Sequence, residues 1–459
     1  MESQLQMSMD IKKRNRLELK VIGRILRKST TIMNLQEHKN YIRIPMGWGL
    51  LVFFFSCAVP ENQNLLTELR IQSDVEALAS PYMEGRETGS IGEVRAATWL
   101  DSNFQAIGLI PNGMEGSFQT FTYKPHPPMQ MHGSGDSMSL GMALVKEIEG
   151  RNVLYVSSST KSSQVGVLAA HYDHLGYGDE NSLFRGEPTL HFGADDNASG
   201  VSGMLELSRR FASQPASRPI LWAAFSGEEK GLWGSNHFCK NPTVGLDSIA
   251  YMINLDMIGR LHGDTLAVYG TGTSPHWMSL LEKCNVDSLT LIPSESGVGP
   301  SDHTSFYLEG IPVLHFFTGQ HPDYHKPSDT PDKINAEGIR KVVDFVERIM
   351  RELDNKDEWE FTATQDQDKG NTPSFKVTLG VIPDYLFDGM GMRIDGVSEG
   401  RPAALAGLQR GDVVVKIDTV KVTDMMTYMI ALSLFESGQV SRVEVLRDDL
   451  LSDFMVTWD

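Results

Sequence analysis

Between Val153 and Leu353 the chain alternates short, wholly apolar runs with segments of helical period, and that alternation restricts the fold more than any other feature. Val153–Val156, Val165–Ala170, Ile220–Phe225, Ile249–Leu255, Leu266–Tyr269 and Ile311–Phe317 are runs of strand length. Val201, Met204, Leu205, Leu207 and Phe211 share one helical face, which predicts a helix opening near Asn197–Ser199. Ile339, Val342, Val343, Val346, Ile349, Met350 and Leu353 form a second stripe, the closing helix. Upstream, Ser90 followed by Glu93 is a capping box, and Val94, Ala97, Leu100, Phe104 and Ile107 continue the period to a stop at Gly108. Strands alternating with helices imply an α/β domain with a mostly parallel central sheet flanked by helices on both faces. In such sheets, functional residues collect at the carboxyl ends of the strands.

Past the closing helix the pattern changes. Phe361–Thr372 is polar and aperiodic, which reads as a linker. Short strand candidates follow at Phe375–Leu379, Met392–Val397, Val413–Ile417 and Val443–Leu446. The expected organisation of the 459 residues is a leader at 1–57, a catalytic domain at 58–358, a linker at 359–373 and a small β-rich domain at 374–459.

The leader differs in charge from the rest. Residues 1–45 hold ten Lys/Arg against four acids, although the whole chain carries a net charge of −18. Met46–Phe55 is almost wholly apolar, and Ser56-Cys57 follows it. A basic stretch, a short apolar core and a small residue describe a secretory signal. A cysteine after Ser56 resembles a bacterial lipoprotein box, with Phe54 and Phe55 in place of the usual Leu and small residue. The expectation is export to the bacterial cell envelope with a lipid anchor on Cys57. The alternative is a signal anchor with a chance cysteine. The leader is long, and Met33 would leave one of ordinary length. The acidic balance disfavours nucleic acid as a partner, since binding it requires cationic surface. Three cysteines make no disulfide scaffold, and whether Cys239 and Cys284 pair is left open.

Five ligand-type residues each follow a strand-like run: His171 in LAAHYDHLG, Asp195 in HFGADDNASG, Glu229 in FSGEEKG, Asp256 in NLDMIG and His325 in DYHKPSDT. Two imidazoles and three carboxylates suit zinc or a similar divalent ion. If one carboxylate bridges, each of two ions keeps a His and a further carboxylate, and a site of that kind activates one water. Glu228, beside a ligand yet free itself, is the natural general base. Asp173, two residues after His171, is placed to orient that imidazole or merely to cap a turn.

These segments, with LASPYMEGRETGS before them and GPSDHTSF and YHKPSDT after, closely resemble the zinc-dependent exopeptidases of bacterial leucyl-aminopeptidase type. The resemblance runs from about Asp74 to Leu353. It implies two zinc ions per chain, one held by His171 and Asp256, the other by Glu229 and His325, with Asp195 between them. It also implies Glu228 as base, Asp173 in support of His171, a cis bond at Asp195–Asp196, and Asp302 close by. Residues 374–459 resemble a PDZ domain, with Leu379-Gly380-Val381-Ile382 where that family binds a peptide's terminal carboxylate. A structural cap with no peptide ligand is the other reading of this module.

The expected function is a metal-dependent aminopeptidase acting on peptides with a free N-terminus, with a zinc-bridged hydroxide as the attacking group. Related chemistry on the same site, glutaminyl cyclisation or carboxypeptidase action, is the second expectation. A non-catalytic peptide-binding protein is the third.

Overall fold

The structure is a computed structural model. It describes residues 58–123, 147–159, 161–178, 181–184, 186–354, 359–364, 377–383, 387, 389–397, 400–423, 425–448 and 450–458. The basic leader, the apolar run and Cys57 lie outside the described residues.

Nine strands form one mixed sheet: β1 (Ile110–Pro111), β2 (Phe118–Tyr123), β3 (Ile148–Val156), β4 (Val165–His171), β5 (Ile220–Phe225), β6 (Ile249–Leu255), β7 (Thr265–Tyr269), β8 (Thr290–Ser294) and β9 (Val313–Phe317). Their order is β1-β3-β5-β4-β6-β9-β7-β8, with β2 also paired to β3. The central four, β5, β4, β6 and β9, are mutually parallel. Strands β3 and β7 join them antiparallel on either side. Every residue of β4, β5, β6 and β9 is buried, as expected of strands covered on both faces.

One face carries α1 (Ala58–Leu78), α2 (Ile91–Ile107), α3 (Gly200–Ser213), α5 (Trp277–Cys284) and α7 (Ala336–Leu353); the other carries α4 (Trp233–Lys240) and α6 (His303–Leu308). The capping box of α2 forms in part. The Ser90 hydroxyl accepts the Glu93 amide at 3.2 Å, as anticipated. The Glu93 carboxylate, however, accepts from Gly89 and Arg151 amides and from the Ser226 hydroxyl, so it ties α2 to two strands. Helix α7 buries the whole predicted stripe from Ile339 to Leu353. Helix α1 and strand β8 are weakly marked in the sequence: among the described side chains of α1, Ile71, Val75 and Leu78 are the apolar ones completely buried.

One sequence expectation changes here. The expected linker begins later than residue 359, because Trp359 stacks on Trp277 at 5.0 Å and the Thr362 amide donates to the Thr273 carbonyl at 2.8 Å. The Thr364 amide donates to the Tyr307 hydroxyl at 2.9 Å. The fold of the larger domain therefore holds its chain as far as Thr364. Cys239 and Cys284 are separate, buried, free thiols.

The C-terminal module has its own core and its own sheet, in the order β10 (Val381–Pro383), β11 (Met392–Val397), β12 (Val413–Ile417), β14 (Val440–Arg447) and β15 (Leu450–Thr457), with β13 (Val420–Lys421) on β12. Helices α8 (Pro402–Ala406) and α9 (Met425–Ser433) complete it. The described part of the expected strand Phe375–Leu379 runs irregularly, although Val377 and Leu379 are buried in the core.

Candidate metal centre

Because β4, β5, β6 and β9 are parallel, their carboxyl ends open on one edge of the sheet, and each delivers one piece of the site. His171 is the last residue of β4 and pairs in register with Phe225, the last of β5. Glu228 and Glu229 follow β5 after a two-residue turn, and Asp256 follows β6 directly. The segment after β9 carries His321 and His325. The acidic turn Ala194–Ser199 closes the site ahead of α3.

The structure corrects the expected shared carboxylate. Asp196, not Asp195, stands between the two histidines: its Oδ1 lies 3.4 Å from His171 Nε2 and its Oδ2 lies 3.2 Å from His325 Nε2. Asp195 faces the other way. Its Oδ1 accepts the Gly259 amide at 2.6 Å, and its Oδ2 lies 3.0 Å from His321 Nε2. The cis peptide likewise falls one residue later than expected, at Asp196–Asn197. The physical reason is the local backbone. Asp196 and Asn197 leave helical geometry (φ −103°, ψ 93° and φ −131°, ψ 42°), so the turn carries adjacent carboxylates to opposite sides.

The remaining expected residues come together. Asp256 Oδ1 is 3.3 Å from His171 Nε2, and Glu229 Oε2 is 3.0 Å from His325 Nε2. Two groups, buried except for the half-buried Glu228, present ligand atoms within 4.8 Å of one another: His171, Glu228 and Asp256 in one, His174, Asp196 and Glu229 in the other. Ligands bound to one zinc at about 2.0–2.2 Å and roughly tetrahedral angles lie about 3.3–3.6 Å apart. The pairs around His171 and His325 are close to that spacing, and the donor set is the one borderline divalent ions prefer. The residues present therefore fit two zinc ions.

Surrounding groups fix the orientation of these side chains. His325 Nδ1 donates to the Asn181 carbonyl at 2.9 Å, which leaves Nε2 bare toward Asp196 and Glu229. Asp173 Oδ1 lies 3.6 Å from His171 Nδ1 and accepts the Glu228 amide at 3.2 Å; its Oδ2 faces the Glu229 amide at 3.4 Å. Asp173 thus steadies both His171 and the Glu228–Glu229 turn. Arg86, from the MEGRETGS segment, is wholly buried and donates to the carbonyls of Leu78, Tyr172, Phe192 and Gly193 at 2.8–2.9 Å. It joins the segment after β4 to the segment before Asp195. Burial lowers its pKa to about 10.

Electrostatics separate the carboxylates. Burial pushes the Asp196 carboxyl up, but His171, His325 and His174 outweigh it and hold the group well below its ordinary range. Burial and Asp196 push Glu229 up, and His325 and His174 bring it down to about 2. Glu228 behaves oppositely. Burial raises it well above the carboxylate range; His171 opposes, while Asp256, Glu229 and Asp302 add to the rise. Asp302, buried at the start of α6, is pushed up to about 7 by burial, with Asp173 and Asp256 adding and His171 and Ser235 opposing. A carboxyl of raised pKa beside carboxylates of lowered pKa is the division of labour expected of a proton carrier among metal ligands.

Sequence reasoning assigned no role to His174, Asn181, His321 or Asp329. His174 had a signal, being a second histidine in AHYDHLG; the others act through backbone groups or a distant carboxylate.

Parts of the chain match two known families. Residues 152–350 match Peptidase family M28, and residues 393–431 match a PDZ domain. Aminopeptidase YwaD of Bacillus subtilis is 29% identical over 232 residues, covering 48% of this chain and 45% of that protein. The chain spans about half the length of the curated relatives it matches. Among solved structures, the aminopeptidase from Aneurinibacillus sp. strain AM-1 superimposes with a TM-score of 0.50 at 17% identity, over 64% of this chain and 95% of that one. The glutaminyl cyclase of Porphyromonas gingivalis does so with a TM-score of 0.50 at 18% identity, over 62% and 98%. At such identities the superpositions speak for the fold alone.

Proposed function

Because the chain belongs to peptidase family M28 and carries a PDZ domain behind its peptidase domain, we propose that it is a two-zinc aminopeptidase that removes residues from the free N-terminus of peptides. The Asp196 carboxylate carries this reading, with one oxygen toward His171 and the other toward His325. His171, Asp256 and Asp196 Oδ1 would hold one ion; His325, Glu229 and Asp196 Oδ2 would hold the other. When bound, zinc supplies Lewis-acid polarisation of the scissile carbonyl and lowers the pKa of a water.

The chain's own groups do the rest. Glu228 takes the proton of the attacking water and returns it to the leaving amine; burial raises its pKa in the metal-free site. The carboxylate-rich surroundings favour a cationic N-terminus over a blocked one. Met257, Ala267, Tyr269 and Phe317 form an apolar cluster next to Asp256, and Tyr324 packs against it while stacking on His325 at 3.8 Å. That favours an apolar first residue.

The test is a panel of aminoacyl and N-blocked peptides assayed on metal-stripped protein as zinc is returned. The reading requires turnover of free N-termini only, appearing with zinc. An N-terminal glutaminyl peptide belongs in the panel, because cyclisation on the same site is the second expectation drawn from the sequence. Loss of ammonia without peptide cleavage would support it.

For the PDZ domain, capture of peptide C-termini at residues 379–382 is part of the same proposal. Strand β10 pairs with β11 and, among the described residues, with no other strand. The Gly380 amide is already taken by the Thr378 hydroxyl at 3.0 Å, so an incoming carboxylate must displace it. Export and lipid attachment at Cys57 complete the proposal, resting on the basic stretch and apolar run before it. Membrane partition that Cys57→Ser abolishes would support them.

A further inference from the structure

His174 is wholly buried beside the second histidine of the site and lies within ligand reach of Asp196 and Glu229, yet neither the proposed ligand set nor the proton transfer uses it. Its ring meets that of His325 edge-on at 6.0 Å. Gly193 keeps the slot open: at a left-handed φ of 55°, a Cβ there would lie 2.5 Å from His174 Cδ2. The His174 Nδ1 atom is 2.7 Å from Glu229 Oε1 and 3.9 Å from Asp196 Oδ2.

These distances decide between two roles. Atoms that share an ion lie about 3.3–3.6 Å apart, and the His325 Nε2 contacts at 3.0 and 3.2 Å are close to that. A charge-assisted N–H···O hydrogen bond is about 2.7–2.9 Å long. His174 Nδ1 is at hydrogen-bond distance from one oxygen and, at 3.9 Å from the other, lies beyond the spacing that His325 Nε2 shows. His325 meanwhile addresses the opposite oxygen of the same carboxylate, Glu229 Oε2. Glu229 is thus held from both sides, with Oε1 on a donor and Oε2 toward the ion.

We propose that His174 is a positioning residue for the second zinc: its Nδ1–H occupies Glu229 Oε1, so that Glu229 binds the ion through Oε2 alone. The inference rests on the two-zinc reading. It gives the ions unequal dependence on His174, because His171 and Asp256 make no contact with its ring among the described contacts.

The test is stepwise zinc affinity of the full chain, measured by competition with a chromophoric chelator, together with cobalt(II) absorption spectra. The variants are His174→Leu, which removes the donor, and His174→Asn, whose side-chain amide places a donor near the position of Nδ1. Thermal melts of the metal-free proteins establish that each variant folds. His174→Leu should weaken the second ion by about 10–100-fold and spare the first. His174→Asn should restore most of that loss, with a wild-type cobalt spectrum. Equal affinities in all three proteins would overturn the proposal, and so would an asparagine variant as weak as the leucine variant. Should His174→Leu fail to fold, the asparagine variant alone decides, since it must bind two ions with near wild-type affinity. Wild-type protein that binds fewer than two zinc ions would instead overturn the two-zinc reading.

Discussion

One oxygen of Asp329 accepts the backbone amide of Asp196 at 3.1 Å and also that of Asp195 at 2.8 Å. Asp329 lies four residues after His325, so the segment that brings the second histidine also clamps the turn that presents the shared carboxylate. Its other oxygen pairs with Arg260 at 3.0 Å.

Asp329→Ala leaves two buried amides without their acceptor, at a cost of about 1–3 kcal/mol each. The melting temperature of the zinc-free protein should fall by several degrees, and both zinc ions should bind less tightly. Asp329→Asn retains an acceptor oxygen and should lose much less. Calorimetry and chelator competition on the two variants check this.

Glu228→Gln removes proton transfer while leaving the ligand atoms of His171, Asp256, Asp196, Glu229 and His325 in place. Turnover should drop by at least about 10²–10⁴-fold with zinc content unchanged. Metal analysis beside steady-state kinetics gives the result.

Zinc binding should depend on pH with a definite sign. Burial opposes the charge on both histidines, but Glu228 and Asp256 at His171, and Glu229 and Asp196 at His325, hold their pKa values well above the usual range. A ligand must give up its proton, so protons compete with zinc at higher pH than for an ordinary histidine. In the metal-free protein, the raised pKa values contribute stability below the unfolded value, and that contribution is lost as pH rises through the folded ones. The lowered pKa of Glu229 contributes stability above the ordinary carboxylate range and is lost as pH falls toward 2. The rise in melting temperature on adding zinc should therefore be larger at about pH 8 than at about pH 6.

A chain ending after Asp357 loses the stacking of Trp359 on Trp277 and the tilted contact of Phe361 with Tyr307, together with the Thr362 and Thr364 hydrogen bonds. A chain ending after Asp366 keeps them. The shorter one should be less stable by about 2 kcal/mol or more, from the apolar area re-exposed. Urea melts of the two truncations measure the difference.

The parts of this protein legible in its sequence are those set by side-chain period. Strands β5 and β6 and the stripe of α7 follow from apolar spacing, and the parallel sheet then places His171, Glu229 and Asp256 on one edge. What spacing cannot decide is direction within a turn. Asp195 and Asp196 are chemically identical neighbours, and only the backbone geometry at 196–197 and the Asp329 clamp assign one inward. Asn181 was silent for a related reason: it acts on His325 through a main-chain carbonyl, which any residue supplies. Trp359–Thr364 read as a linker because six residues are too few to show a period, although two aromatics among them had a place to pack.

The central claim is that Asp196 supplies the carboxylate shared by two zinc ions. It is tested most directly by the zinc content of Asp196→Asn and Asp195→Asn after dialysis against a weak chelator. The account predicts that Asp196→Asn loses both ions while Asp195→Asn keeps two per chain. Two ions retained by Asp196→Asn, with loss from Asp195→Asn, would contradict it.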